Sequence, residues 1–163
     1  MKPIRSMLVV VFIAAAAHAE SDAGALAAQL KGVKVTLAQG LKASAAKGKP
    51  ISAKFEVENG KLQLSVYTAK DGAFSEVIVD HKTGRVAKSE AITSGDDLTA
   101  AKAQNEAMSS AKTSLQDAVG KAEKANRGYR AVSVVPSVKD GHPSADVTLL
   151  KGAESKTETE KLD

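Results

Sequence analysis

The chain has 163 residues, a formal net charge of +4 and no cysteine. Disulfide stapling and thiolate chemistry are therefore excluded, although small exported proteins often use disulfides. There is no tryptophan and there are only three phenylalanines, so any core rests on alanine and aliphatic side chains.

The first residues read as an export signal. Lys2 and Arg5 form a positive start, Met7 to Ala17 is an unbroken apolar run, and Ala17-His18-Ala19 puts small residues at the positions a signal peptidase reads. The expected cut lies after Ala19. The run is too short to span a bilayer, which needs about 20 apolar residues. Without Lys2 and Arg5 the charge falls from +4 to +2, which leaves no electrostatic footprint for nucleic acid. The expected location is the periplasm or outside the cell, with no membrane anchor.

Residues 22–31 read as a short Ala/Leu helix stopped by Gly32. Thr36-Leu37-Ala38-Gln39 is a capping box that opens a second helix, which Gly48 and Pro50 end. Ala53, Phe55 and Val57 then alternate with Lys54, Glu56 and Glu58. Asn59-Gly60 is a hairpin turn, and Leu62, Leu64 and Val66 alternate with polar neighbours in a second strand. Asp71-Gly72 turns the chain into a third strand, residues 74–80. Lys82-Thr83-Gly84 turns it again, into a short fourth near 85–87.

Residues 93–97 read as a linker and 98–126 as Ala/Lys-rich helix, with an interruption at Thr113-Ser114. The stretch 98–112 reads as a solvated spacer. The helix-then-meander order then returns. Ser114-Leu115 and Val119 match Thr36-Leu37 and Leu41, and Tyr129, Ala131 and Val135 match Ile51, Ala53 and Val57, all 78 residues on. The expected fold is α+β, with two units, each a helix packed on one face of a 3–4-stranded antiparallel sheet. The expected divisions are a signal peptide at 1–19, a first unit at 20–92, a linker at 93–97 and a degenerate second unit at 98–163.

The stretch from Thr36-Leu37-Ala38-Gln39 through Gly48-Lys49-Pro50-Ile51, Phe55-Glu56-Val57, Leu64-Ser65-Val66-Tyr67 and Val79-Asp80-His81-Lys82-Thr83-Gly84-Arg85-Val86 resembles a PepSY domain. The resemblance covers about residues 33–90, and the second unit matches only loosely. It implies a helix on an antiparallel sheet in a bacterial exported protein. PepSY domains also occur in propeptides of secreted metallopeptidases, where a peptidase-inhibiting role has been proposed. No peptidase domain accompanies the unit here, so a peptidase target would be met in trans.

No motif for catalysis, phosphate binding or metal ligation stands out. His81 and His142 lack companion ligands, so no catalytic, cofactor or metal residues are expected. Asp80, Thr83 and Gly84 read as a structural turn. The wet face of the first meander, through Lys54, Glu56, Lys61, Gln63, Ser65 and Tyr67, is the expected partner-binding surface, since tyrosine is enriched in interfaces. The functional expectation is a non-enzymatic exported binding protein that contacts or inhibits an extracytoplasmic peptidase. The alternative is a small-ligand carrier that uses the cup between helix and sheet.

Overall fold

The computed structural model describes residues 19–163, with side chains from residue 23 onward. The predicted export signal, apart from Ala19, lies outside the described residues.

The described elements are α1 (Ala19–Gln29), α2 (Leu37–Ser44), β1 (Lys49–Glu58), β2 (Lys61–Lys70), β3 (Ala73–Val79), β4 (Val86–Ile92), α3 (Gly95–Ser109), α4 (Leu115–Ala125), β5 (Arg130–Lys139), β6 (His142–Lys151) and β7 (Glu154–Lys161). The two-unit expectation is overturned. The strands form one seven-stranded antiparallel sheet in the order β4-β3-β2-β1-β5-β6-β7. β1 pairs with β5, with Ala53 opposite Val134 and Lys54 opposite Ser133. A separate three- or four-stranded sheet would have left the β1 edge unpaired, a liability in any sheet.

Local chemistry sets the helix starts. The Thr36 hydroxyl accepts from the Gln39 amide at 3.1 Å, and the Gln39 side chain accepts from the Thr36 amide at 2.8 Å. Ser114 accepts from the Asp117 amide at 3.1 Å and caps the start of α4, while its own hydroxyl donates to Asp117 Oδ2 at 2.7 Å. These caps lie 78 residues apart, as expected. The strands do not keep that spacing. The turns Asn59-Gly60 and Asp140-Gly141, both with positive φ, lie 81 residues apart. The difference is the length of the helices: α2 has 8 residues and α4 has 11. The position equivalent to Ala53 is therefore Val134, not Ala131, and these two residues face each other in the β1–β5 pair.

Helices cover both faces of the sheet. On one face, α2 lies so close that a side-chain carbon at Gly40 would sit 2.6 Å from Leu64 Cδ2. Leu37, Leu41, Ile51, Leu64, Val119, Val134, Val147 and Leu149 are fully buried in this layer. Arg130 ties the second half of the chain to the first. Its guanidinium lies 5.2 Å from the Phe55 ring centre and donates to the Val33 and Val35 carbonyls at 3.0 and 2.7 Å.

The spacer reading of 98–112 is also corrected. Within α3, Ala101, Gln104, Ala107 and Met108 are buried, and the helix contacts β1, β2, β5 and β6. Tyr67 lies three residues beyond Leu64 on β2, so alternation turns it to the opposite face. There its hydroxyl meets Asp97 in the first turn of α3. At the far end of α3, the Lys49 ammonium donates to the Met108 carbonyl at 2.7 Å. Small alanine side chains let α3 lie close against this polar face without a leucine stripe.

Candidate functional site

The polar face opposite α2 gathers seven side chains. β1 supplies Lys54 and Glu56, β2 supplies Gln63, Ser65 and Tyr67, β3 supplies Glu76, and α3 supplies Asp97. Register brings them together. Lys54 pairs with Ser65, Glu56 with Gln63, and Tyr67 with Glu76, so alternate positions of three adjacent strands share one surface.

Direct contacts link them. Lys54 Nζ lies 2.6 Å from Glu56 Oε2, and both side chains are largely covered, at 12% and 18% exposure. The Ser65 hydroxyl donates to Glu56 Oε1 at 2.8 Å, and Gln63 Nε2 donates to Ser65 Oγ at 2.9 Å. The Tyr67 hydroxyl donates to Asp97 Oδ1 at 2.8 Å. Burial, and then the bond to and charge of Asp97, push the Tyr67 hydroxyl well above its ordinary pKa. It therefore stays a proton donor.

The charges do not balance. Within these seven side chains, Glu56, Glu76 and Asp97 are three carboxylates against the single cation Lys54, which pairs with Glu56 and whose charge reaches Glu76. Burial raises the pKa of Glu76 above its ordinary value. Hydrogen bonding to Ser65 and the charge of Lys54 work the other way, and the charges of Glu56 and Asp97 add to the rise. The face thus holds more negative charge than its own cation can offset, in a half-covered setting where charge interactions strengthen.

Of the expected binding residues, Lys54, Glu56, Gln63, Ser65 and Tyr67 converge in this cluster. Lys61 stands apart, exposed at the rim beside the Asn59-Gly60 turn. The face is less open than its alternation suggests: Ser65 and Tyr67 are buried, at 1% and 5% exposure, with Tyr67 held by Asp97 of α3. Sequence reasoning missed Glu76 and Asp97. Hairpin register could have found Glu76, which sits opposite Tyr67 on β3. Only tertiary docking places Asp97.

The turn residues lie elsewhere. Asp80 Oδ1 accepts from the Lys82 and Thr83 amides at 2.8 and 2.9 Å, and the Gly84 amide donates to the Asp80 carbonyl at 2.8 Å. Gly84 has φ +72°, where a side chain would be strained. The amides of Thr83 and Lys82 hold the Asp80 carboxyl below its usual range. Among the described residues no group of three or more histidine, cysteine, aspartate or glutamate side chains could hold a metal ion. His142 Nδ1 instead contacts Asp163 Oδ2 at 2.7 Å.

No family model, curated protein or solved structure matches the chain.

Proposed function

We propose that this chain is an exported, non-enzymatic binding protein that presents the β1–β3 face to a protein partner. The observation that carries the reading is the half-buried cluster of Glu56, Glu76 and Asp97 with one lysine. Glu56 is held by Lys54 and Ser65 and Asp97 by Tyr67, a pre-organised arrangement that lowers the cost of binding. Surplus negative charge there favours a partner that contributes a cation, such as a lysine or arginine side chain. Ser65 supports binding rather than nucleophilic chemistry, because it is buried and its proton goes to Glu56.

The partner class we favour is an extracytoplasmic peptidase, met in trans and inhibited by occupation. The support is the resemblance of residues 33–90 to PepSY domains together with the expected export signal. The test is titration of the purified chain against the extracytoplasmic peptidases of its host, reading both binding and inhibition. The expected result is salt-sensitive binding weakened by Glu56→Lys. Neither binding nor inhibition across the set would sink the proposal.

The carrier reading draws less support from the space under α2, where Gly40 already touches Leu64. It draws more from a groove of about 510 Å³ between α1 and the β6–β7 turn, lined by Ala27, Leu30, Lys31, Arg130 and Leu150 among others.

A further inference from the structure

Strand β4 ends the sheet, and among the described residues no strand pairs with its outer side. Its five central residues, from Ala87 to Ala91, are exposed. An outer edge of this kind is a template for another strand. Proteins blunt such edges with charged side chains, proline, bulges or very short length; β4 has no proline and carries Lys88 and Glu90, and its pairing with β3 skips Ala87, a bulge near its start. Centred on Ser89 it also carries a chemical palindrome. The order is Val86, Ala87, Lys88, Ser89, Glu90, Ala91, Ile92.

We propose that two copies of the chain pair antiparallel through β4 about a two-fold axis at Ser89, joining their sheets into one. In that register Lys88 faces Glu90 of the second copy, and the reverse contact repeats it. Ser89 faces Ser89 of the second copy, and the bulge at Ala87 ends the regular ladder before Val86. Every cross-strand pair in that regular stretch is then cation with anion or serine with serine. Opposite charges directly across a ladder stabilise it, and like charges oppose it. Antiparallel strands alternate hydrogen-bonded and non-hydrogen-bonded pairs, and an axis at Ser89 satisfies either phase. The contact is isologous, so it closes as a dimer rather than growing.

The other edge lacks this property. An axis at Thr157 in β7 would set Glu154 against Glu160 of the second copy, a like-charged pair. The choice of β4 also bears on the acidic face. Glu90 lies beside Glu76 in the β3–β4 register, and Lys88 already reaches Glu90 within its own strand at 2.8 Å. Pairing places Lys88 of the second copy against that same row of carboxylates. A seven-residue edge buries little area, so the dimer belongs to the weak, concentration-dependent class.

Charge reversal tests this directly. Lys88→Glu makes both cross-strand charge pairs repulsive, and so does Glu90→Lys. Sedimentation equilibrium of the purified chain should show reversible dimerisation, weakened roughly tenfold or more by either substitution. Mixing the two variants in equal amounts should restore association. In the mixed dimer the glutamate introduced in one chain faces the lysine introduced in the other, and the unchanged Glu90 faces the unchanged Lys88. Both positions are exposed, and circular dichroism verifies that the variants fold. A chain that stays monomeric at all concentrations, self-association unmoved by either reversal, or growth into filaments would each overturn the proposal.

Discussion

The two halves of the polar face are laid out alike and charged differently. Moving 81 residues along the chain takes Lys54 to Val135, Glu56 to Ser137, Ser65 to Asp146, Tyr67 to Thr148 and Glu76 to Thr157. The first half is a linked cluster with too many carboxylates. In the second half, Asp146 has its own cation: Lys139 Nζ lies 2.7 Å from Asp146 Oδ1, and the Thr159 hydroxyl donates to the same oxygen at 2.6 Å. The carboxylates respond in opposite ways. Glu76 is raised, chiefly by burial. Burial also acts to raise Asp146, but the bonds from Lys139 and Thr159 override it and hold the group low. Identical backbone register therefore leaves one half internally satisfied and the other in need of a cation, and that contrast is the reason for placing the binding surface on β1–β3.

The largest expected effect lies beneath this face, where the halves differ in size complementarity. Gly40 faces Leu64 in the first half, whereas the equivalent positions in the second are Ala118 and Ala145, both fully buried. Leu64→Ala should cost about 3 kcal/mol in urea unfolding, through lost transfer energy and a cavity. Gly40→Ala should cost about 1 kcal/mol by overpacking, after its gain in helix propensity. Together the two copy the alanine pair of the second half, so the double variant should lose less than the sum. Strict additivity would show that α2 does not depend on this contact.

A smaller effect is expected where α3 meets the face. Tyr67→Phe removes the bond to Asp97 and should cost about 1 kcal/mol. No change in unfolding midpoint would argue that α3 docks independently of Tyr67.

The subtlest comparison is in pH. Where the folded pKa of Glu76 is raised, the native state holds more protons than the unfolded chain, so stability falls as pH rises through the window above the ordinary glutamate range. Glu76→Gln should therefore stabilise at neutral pH and do nothing in acid. Asp146 is lowered, so its contribution is present above the ordinary aspartate range and is lost as pH falls through the folded value. Asp146→Asn should destabilise at neutral pH and do nothing in strong acid. Unfolding midpoints across pH check both signs, and slopes of the same sign in the two variants would break the contrast.

Much of this is legible in the sequence because it is local. The capping box at Thr36, the turns Asn59-Gly60, Asp71-Gly72 and Asp140-Gly141, and the alternation along β1 and β2 each depend on neighbours a few residues away. The β1–β5 pairing is not local: Ala53 and Val134 carry no signal that chooses a partner strand, so one sheet reads as two. The three extra residues of α4 likewise move the strand equivalence from 78 residues to 81. Helix α3 hides its docking face because Ala101, Gln104 and Ala107 make no hydrophobic stripe. With α3 read as a spacer, Asp97 has no reason to join the candidate site.

The most direct measurement compares the two halves in binding. A peptidase that binds the wild-type chain is titrated, at two salt concentrations, against a Glu56→Gln/Glu76→Gln variant and against Asp146→Asn. A binding surface on β1–β3 requires that the first lose affinity and salt sensitivity together, while the second binds as the wild type does. Binding that survives loss of both glutamates, or that follows Asp146 instead, would contradict it.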